Sequence, residues 1–295
     1  MGLADDTEGH ARSKAFEQGL EDWGWSVGKD LQIEYRFSGG DVARIQDAAN
    51  EFAALKLDCV LAQSTPVAEV VVRTIQTTPI VFVAVTDPVG SGFVKSMSRP
   101  GGNATGFTVL QATITGKYLS ILKELRPQIK RVTIIFNPVS APGAGSFFLQ
   151  PFLDAAKEFK VEPIVAQVHD RAEIESALAA LAVLPDGGLI VMPDNFTSLY
   201  RQDFISLAAK FRIPTVYPYR YFAEGGGLLA YGVDTVDMFR RAADYVNRVL
   251  HGAKPSELPV QAPNKFELVI NLKTAHTLGL VVPRILLAGA DDVVE

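Results

Sequence analysis

The chain has 295 residues, of which 48% are hydrophobic and 21% are charged, and its formal net charge at pH 7 is -5. This length is large for a single hydrophobic core and sufficient for two lobes. The acidic balance, without a cluster of Lys and Arg, argues against nucleic acid as a partner, because phosphate contacts need a basic face. No apolar run approaches the roughly 20 residues that a membrane-crossing helix requires.

Helical and strand-like patterns alternate through the first third of the chain. Helices are predicted over 8–24, 41–55 and 65–76, and strands over 31–37, 59–62 and 80–85. The strand over 31–37 rests on the alternation of apolar and polar residues from Leu31 to Phe37. The strand over 80–85 is apolar throughout and rich in β-branched residues, which is typical of a strand covered on both faces. A glycine-rich turn over 100–103 then leads into a further strand.

A second series of alternating patterns fills the rest of the chain. Helices are predicted over 112–125, 144–159, 172–181, 198–211, 234–250 and 272–278, and strands over 131–136, 162–167, 188–192, 215–217 and 266–270. Repeated strand–helix units favour parallel sheets with helices on both faces, so we predict an α/β fold with two Rossmann-like lobes. We assign residues 1–112 and 232–260 to lobe 1, and residues 113–231 and 261–295 to lobe 2.

The start of the sequence departs from this pattern. Its first clear element is a helix, whereas a lobe of alternating strands and helices should open with a strand that leads into residues 2–6. We therefore expect the first strand of lobe 1 to be missing from this chain, which would leave a strand edge without a partner. The first residues also lack the basic start and the apolar segment of an export signal.

Small polar residues follow several predicted strands, which is where open α/β sheets bind ligands. The candidate ligand-binding residues at these positions are Ser64, Thr65, Asp87, Asn137, Ser140 and Asp194. Ser64 and Thr65 precede a predicted helix whose free N–H groups suit a carboxylate. Asp87 suits an ammonium group, or a ligand hydroxyl or N–H, and Asn137 with Ser140 could contact the ligand from the second lobe. The same residue types also cap helices and form turns, and this alternative stays open for each of them.

Tyrosines complete the candidate site. The segment TVYPYRYF places Tyr217, Tyr219 and Tyr221 on one face if it is extended. A tyrosine ring offers a flat apolar surface with a polar tip, which suits an aromatic or aliphatic ligand. Tyr231 lies near a predicted return crossing and is a further candidate. The alternative is a stripe that packs in the core or between the lobes, and Tyr221 fits that alternative better than the others.

Signals of catalysis and of metal binding are weak. The four histidines are scattered without metal-ligand spacing, and neither a GxSxG elbow nor a P-loop is present. The single cysteine, Cys59, lies within an apolar strand, which is more typical of a small buried residue than of a nucleophile. We therefore predict no catalytic residue, no metal site and no cofactor.

Two segments carry a resemblance to a known family. The loop TDPVGSGFVKSMSRPGGNATGF and the tail LPVQAPNKFELVINLKTAHTLGLVVPRILLAGADDVVE are similar to the ABC-transporter substrate-binding proteins that include the streptococcal tryptophan-binding component. The resemblance implies a type I periplasmic-binding-protein fold with two lobes, three crossings and no catalysis. It also places Ser64 and Thr65 in the post-strand loop of the first lobe, Asp87 in the TDP segment, and Asn137 in the loop that opens the second lobe.

These observations predict an extracytoplasmic solute-binding protein of an ABC importer. The ligand would be a small carboxylate-bearing molecule, with an apolar or aromatic amino acid as the first hypothesis, held in the interlobe cleft by hinge closure. The expected partners are this ligand and the membrane permease subunits, and the protein itself is expected to be a monomer. The periplasmic or extracytoplasmic location follows from the resemblance alone. The alternatives are a ligand-sensing regulatory domain of the same fold and, less well supported, a two-lobed enzyme.

Overall fold

The computed structural model describes residues 6–109 and 111–295, and these residues form two compact units. Unit 1 contains Met1–Leu110 and Thr235–Asn264, and unit 2 contains Gln111–Asp234 and Lys265–Glu295. The chain therefore passes between units at 110/111, 234/235 and 264/265, where the sequence predicted 112/113, 231/232 and 260/261. None of the helices in the described ranges combines the length and the apolar composition that a bilayer-spanning helix needs.

Strands and helices alternate along most of the described chain. The strands are β1 (Val60–Gln63), β2 (Ile80–Val85), β3 (Ala104–Thr108), β4 (Arg131–Phe136), β5 (Glu162–Gln167), β6 (Gly187–Val191), β7 (Thr215–Tyr217), β8 (Leu229–Gly232), β9 (Glu267–Asn271) and β10 (Asp292–Val294). The helices are α1 (Thr7–Asp22), α2 (Val42–Ala54), α3 (Thr65–Thr74), α4 (Ile114–Leu125), α5 (Ser146–Glu158), α6 (Arg171–Ala182), α7 (Asn195–Leu199), α8 (Arg201–Lys210), α9 (Arg220–Glu224), α10 (Thr235–Leu250), α11 (Leu272–Thr277) and α12 (Arg284–Ala288).

Unit 1 is built on a parallel sheet with the strand order β1-β2-β3. The central strand β2 is almost entirely buried, as its unbroken apolar sequence predicts. A Cβ atom on Gly106 would lie 1.9 Å from the carbonyl oxygen of Phe82, so only glycine permits β3 to approach β2 this closely. Helices α2 and α3 supply apolar side chains to the same core, among them Ile45 and Val71.

The predicted strand over 31–37 is not formed, and this prediction was wrong. Residues 32–38 have no ladder partner in the part of the chain that the structure describes, and Leu31 makes only an isolated bridge to Val27. The alternation from Leu31 to Phe37 nevertheless corresponds to real one-sided packing. Tyr35 donates a hydrogen bond to Glu17 of α1, and its ring stacks near that of Phe37. The alternating burial of this segment therefore reflects the packing of one of its sides on α1. A strand would also need a hydrogen-bonded neighbouring strand, which the described residues do not supply here.

Unit 2 contains a seven-stranded sheet in the order β10-β9-β8-β7-β6-β4-β5 among the described residues. Its neighbouring strands run parallel, except that β8 pairs antiparallel with β9. The chain runs from β4 outward to β5 and then returns to the opposite side of β4 to form β6. The carboxyl ends of β4 and β6 therefore flank the position at which the strand order reverses, where open α/β sheets place their ligands.

Three details of unit 2 differ from the sequence prediction. The extended segment expected beyond residue 217 is absent, because β7 ends at Tyr217 and α9 begins at Arg220. The helix predicted over 198–211 is two helices, α7 and α8, which meet at Tyr200. No strand is predicted after the one over 266–270, but Asp292 starts edge strand β10, and Arg220 donates to its carboxylate at 2.6 Å.

Candidate functional site

In unit 1, Ser64 and Thr65 form the turn from β1 into α3. Ser64 has a φ of 80°, a left-handed conformation that is uncommon and strained for a residue with a side chain. Thr65 Oγ1 accepts a hydrogen bond from the backbone N–H of Thr86 at 3.1 Å, which joins the ends of β1 and β2. Both residues are largely buried, and Pro66 occupies the first turn of α3. The N-terminal N–H groups of α3 thus lie at the carboxyl edge of the unit 1 sheet, where they suit an anion.

Asp87 follows β2 at the same edge and stabilises a tight turn. Its Oδ1 accepts the backbone N–H of Gly90 at 2.8 Å, and its carbonyl oxygen accepts the N–H of Ser91 at 3.0 Å. One carboxylate oxygen of Asp87 is therefore used to shape the loop. Its predicted contact with an ammonium group stays a prediction.

In unit 2, Asn137 shapes the loop that follows β4. Its side-chain amide donates to the carbonyl oxygen of Val168 at 2.8 Å, and its Oδ1 accepts the N–H groups of Val139 and Ser140 at 2.8 and 3.1 Å. The amide thus joins the ends of β4 and β5 and turns the chain. These bonds use both ends of the amide to position the loop, and the predicted contact of Asn137 with a ligand stays a prediction.

Asp194 links this loop to the end of β6. Its Oδ2 accepts the backbone N–H of Asn137 at 2.9 Å, and its Oδ1 accepts the N–H of Thr197 at 2.7 Å. Thr197 Oγ1 accepts the N–H of Asp194 in return, so the two residues form a capping box at the start of α7. Asp194 therefore brings together two of the strand ends that the sequence selected.

The electrostatics of Asp194 follow from this position. Burial raises the pKa of its carboxyl group to about 6, while hydrogen bonds from Asn137 and Thr197 oppose the rise. The nearby Ser140 hydroxyl also lowers this pKa. Its buried Oγ nevertheless has no hydrogen-bond partner at bonding geometry among the described residues. The group of Asp194 and Ser140 thus combines a carboxylate of raised pKa with a hydroxyl that can still bond.

The local structure places Tyr217 and the pair Tyr219 and Tyr221 in different environments. Tyr217 is 1% exposed and stacks on Phe222 in the core of unit 2, which is the environment of a packing residue. Tyr219, which is half-buried, precedes α9 and stacks on Tyr221, which is buried. Tyr221 donates to the Ser198 hydroxyl at 3.1 Å, which brings the pair to α7, the helix that Asp194 caps.

Tyr231 belongs to a second aromatic group on β8. Its ring stacks on Phe266 with 5.6 Å between centroids and lies edge-on to the buried Tyr118. The ammonium group of Lys117 lies 5.8 Å from the centre of the Tyr231 ring. Burial raises the pKa of the Tyr231 hydroxyl, and the nearby charge of Asp291 adds to that rise.

Thr197 and Ser198, which support Asp194 and Tyr221, are not among the residues predicted from the sequence. The spacing of Asp194 and Thr197 was a usable signal, since a cap residue followed three positions later by a side chain that bonds back defines a capping box. Lys117 and Phe266 left no comparable signal, because Phe266 reaches Tyr231 through the pairing of β8 with β9 and Lys117 approaches it from helix α4. Within the described ranges, no group of three His, Cys, Asp or Glu side chains could hold a metal ion.

Family-level similarity covers nearly all of the chain. Residues 7–294 match the model of the family described as ABC transporter substrate binding protein. The chain belongs to this family. The resemblance drawn from the TDPVGSGF loop and the C-terminal tail is thereby confirmed, and so is the prediction of a substrate-binding role within an ABC transporter system.

Individual relatives agree with the family assignment. The chain is 28% identical over 267 residues to a tyrosine-binding protein of Clostridioides difficile (strain R20291), covering 90% of this chain and 76% of that protein. A conserved domain protein from Vibrio cholerae has 28% identity and a TM-score of 0.89, with 96% and 94% of the two chains covered. An ABC domain from Streptococcus pneumoniae in complex with L-Trp has 24% identity and a TM-score of 0.87, with 97% and 96% covered. These matches confirm the α/β periplasmic-binding-protein fold.

Proposed function

We propose that this substrate-binding protein captures an aromatic amino acid, tyrosine or tryptophan, outside the cytoplasmic membrane. The observation that carries the proposal is the 2.9 Å hydrogen bond from the Asn137 N–H to the Asp194 carboxylate. This bond places a carboxylate at the strand-order reversal of the unit 2 sheet, where α/β proteins bind ligands. The tyrosine-binding relative and the structure containing L-Trp support the choice of ligand class.

Each unit offers groups that match part of an amino acid. In unit 1, the N-terminus of α3 with Ser64 and Thr65 suits the ligand carboxylate, because the helix directs backbone N–H groups and a partial positive charge there. In unit 2, the half-buried ring of Tyr219 offers apolar contact to an aromatic side chain, and Tyr231 offers a second ring. Tyr217 is too deeply buried to share this role in the observed conformation.

The partners follow from the same proposal. A protein that captures a ligand and has no catalytic task would deliver it to membrane permease subunits driven by a separate ATPase. We propose that it does so as a monomer, with each molecule binding one ligand.

Calorimetry with the purified protein at pH 7.5 tests this proposal. Protein freed of bound small molecules by partial unfolding and refolding should bind L-tyrosine or L-tryptophan with a stoichiometry of one. L-Leucine and L-glutamate serve as controls for an aliphatic and an acidic side chain, and both should bind at least tenfold more weakly. Tight binding of a control amino acid, with no binding of the aromatic pair, would refute the aromatic assignment.

A further inference from the structure

One edge of the unit 1 sheet is open. Strand β1 pairs with β2 on one side and with no other strand of the described chain. Val60 and Ser64 donate their backbone N–H groups toward β2. Because the main-chain groups of successive residues face opposite sides of a strand, the N–H groups of Leu61 and Gln63 face the open edge. Neither N–H group has a backbone acceptor among the described residues.

Residues 32–38, called segment 32–38 below, pack as a strand does but lack a neighbouring strand. Tyr35 donates a hydrogen bond to Glu17 of α1. The next residue, Arg36, donates to Glu51 of α2 at 2.7 Å. Successive side chains thus contact two different helices, as they do along a strand that lies between two helical layers. The backbone N–H groups of the segment nevertheless have no backbone acceptor in the described part of the chain.

The helices of unit 1 cover opposite faces of the sheet. On one face, α2 and α3 share a core with Ile80 and Phe82 of β2. Val81 and Val83 alternate with these two residues and therefore lie on the other face. Helix α10 packs on β2 and β3 without contributing a residue to the first core, and α1 packs against α10. Helices α1 and α2 thus lie on opposite faces.

The handedness of the connections locates the strand that would lead into α1. Connections from one parallel strand through a helix to the next are almost always right-handed. Those through α2 and α3 lie on one face, so both cross the sheet in the same direction, from segment 32–38 to β1 and from β1 to β2. Because α1 lies on the opposite face, a connection through α1 to segment 32–38 must cross in the reverse direction. The strand before α1 therefore belongs between segment 32–38 and β1.

Two buried polar side chains lie at the ends of the same two elements. Ser38 ends segment 32–38 and Gln63 ends β1. Ser38 Oγ and Gln63 Oε1 are buried and have no hydrogen-bond partner among the described residues. Buried polar atoms are costly unless they are paired. The backbone groups of a strand between these elements, and of the turn that follows it, would supply partners for both atoms.

We propose that unit 1 has a slot for one parallel strand between segment 32–38 and β1, and that an apolar strand joined ahead of α1 occupies it. Neighbouring strands are about 4.8 Å apart, so a filled slot holds its two walls about 10 Å apart. The inserted strand pairs with the free N–H groups of both walls and ends at the carboxyl edge of the sheet, from which α1 returns. Since helices cover both faces, its sequence should be a continuous run of β-branched residues.

Hydrogen exchange followed by mass spectrometry tests the slot. The chain extended before Met1 by Val-Ile-Val-Ile-Val is compared with the unextended chain and with a chain extended by Val-Pro-Val-Pro-Val. Proline has no N–H group and is excluded from central strands, so the second extension is matched in length and apolar character but cannot pair on both sides. The first extension should slow exchange about tenfold or more in peptides over 32–38 and 59–64, and the second should not. Peptides from β6 of unit 2 should exchange equally in all three chains.

A free peptide gives a second measurement that does not depend on the folding of an extended chain. The unextended protein is mixed with excess Lys-Val-Ile-Val-Ile-Val-Lys, whose lysines keep it in solution, or with the matched peptide Lys-Val-Pro-Val-Pro-Val-Lys. The first peptide should slow exchange over both 32–38 and 59–64, because an inserted strand pairs with both walls. The second peptide should leave exchange unchanged.

Three results would overturn the proposal. Exchange that neither the extension nor the free peptide slows would show that no strand enters at this edge. Slower exchange over 59–64 alone would show that segment 32–38 is not the second wall of the slot. Protection in the extended chain that rises with protein concentration would assign the effect to pairing between copies of the chain at their open edges.

Discussion

Replacing Asp194 with Asn should remove a pH-dependent loss of stability from unit 2. The carboxyl group has a pKa of about 6 in the folded protein, against an ordinary value of 3.8. Since the folded state holds the proton more tightly than the unfolded state, the stabilising contribution is complete below about pH 4 and disappears as the pH rises through 6. Each unit of pKa difference corresponds to about 1.4 kcal/mol, so wild-type stability should fall by about 2–3 kcal/mol between pH 4 and pH 7.5 from this group alone.

The assay is urea unfolding at closely spaced pH values, followed by far-ultraviolet circular dichroism. Both tryptophans of the chain, Trp23 and Trp25, belong to unit 1, so their fluorescence reports that unit separately. The stability difference between wild type and Asp194→Asn should change by about 2–3 kcal/mol over this pH range, whatever constant offset the amide introduces. Asp170→Asn supplies the matched control. A difference between wild type and Asp194→Asn that stays constant from pH 4 to pH 7.5 would refute the reasoning.

Two further substitutions test how each unit is held together. Gly106→Ala places a Cβ 1.9 Å from the Phe82 carbonyl oxygen and should lower the free energy of unfolding of unit 1 by about 3 kcal/mol or more in tryptophan-monitored urea unfolding. Gly102→Ala, whose Cβ meets nothing within 4 Å, should change it by less than about 1 kcal/mol, and equal effects would contradict the argument from close strand approach. Arg220→Leu removes the partner that lies 2.8 Å from the largely buried Glu267 carboxylate and should destabilise unit 2 by about 2 kcal/mol. Adding Glu267→Gln should restore stability, and a double variant without this rescue would show that loss of the ion pair does not cause the destabilisation.

The alternating pattern was enough to predict most of the helices and strands. Continuous apolar runs such as Ile80–Val85 specify a strand covered on both faces without knowledge of its neighbours. The segment over 31–37 had an equally regular pattern but no ladder partner in the described chain, and alternation alone cannot supply one. Edge strand β10 shows the converse, because its three residues pair with β9 in a segment for which the sequence pattern predicts no strand.

The candidate site was predictable in its positions more than in its contacts. Strand ends are marked by composition, so Asn137 and Asp194 could be selected from the sequence. The hydrogen bond that joins them depends on β6 returning beside β4 after the excursion to β5, and no local pattern encodes this return. The same limit applies to Tyr217, whose place in the core follows from the end of β7 and the start of α9 directly after it.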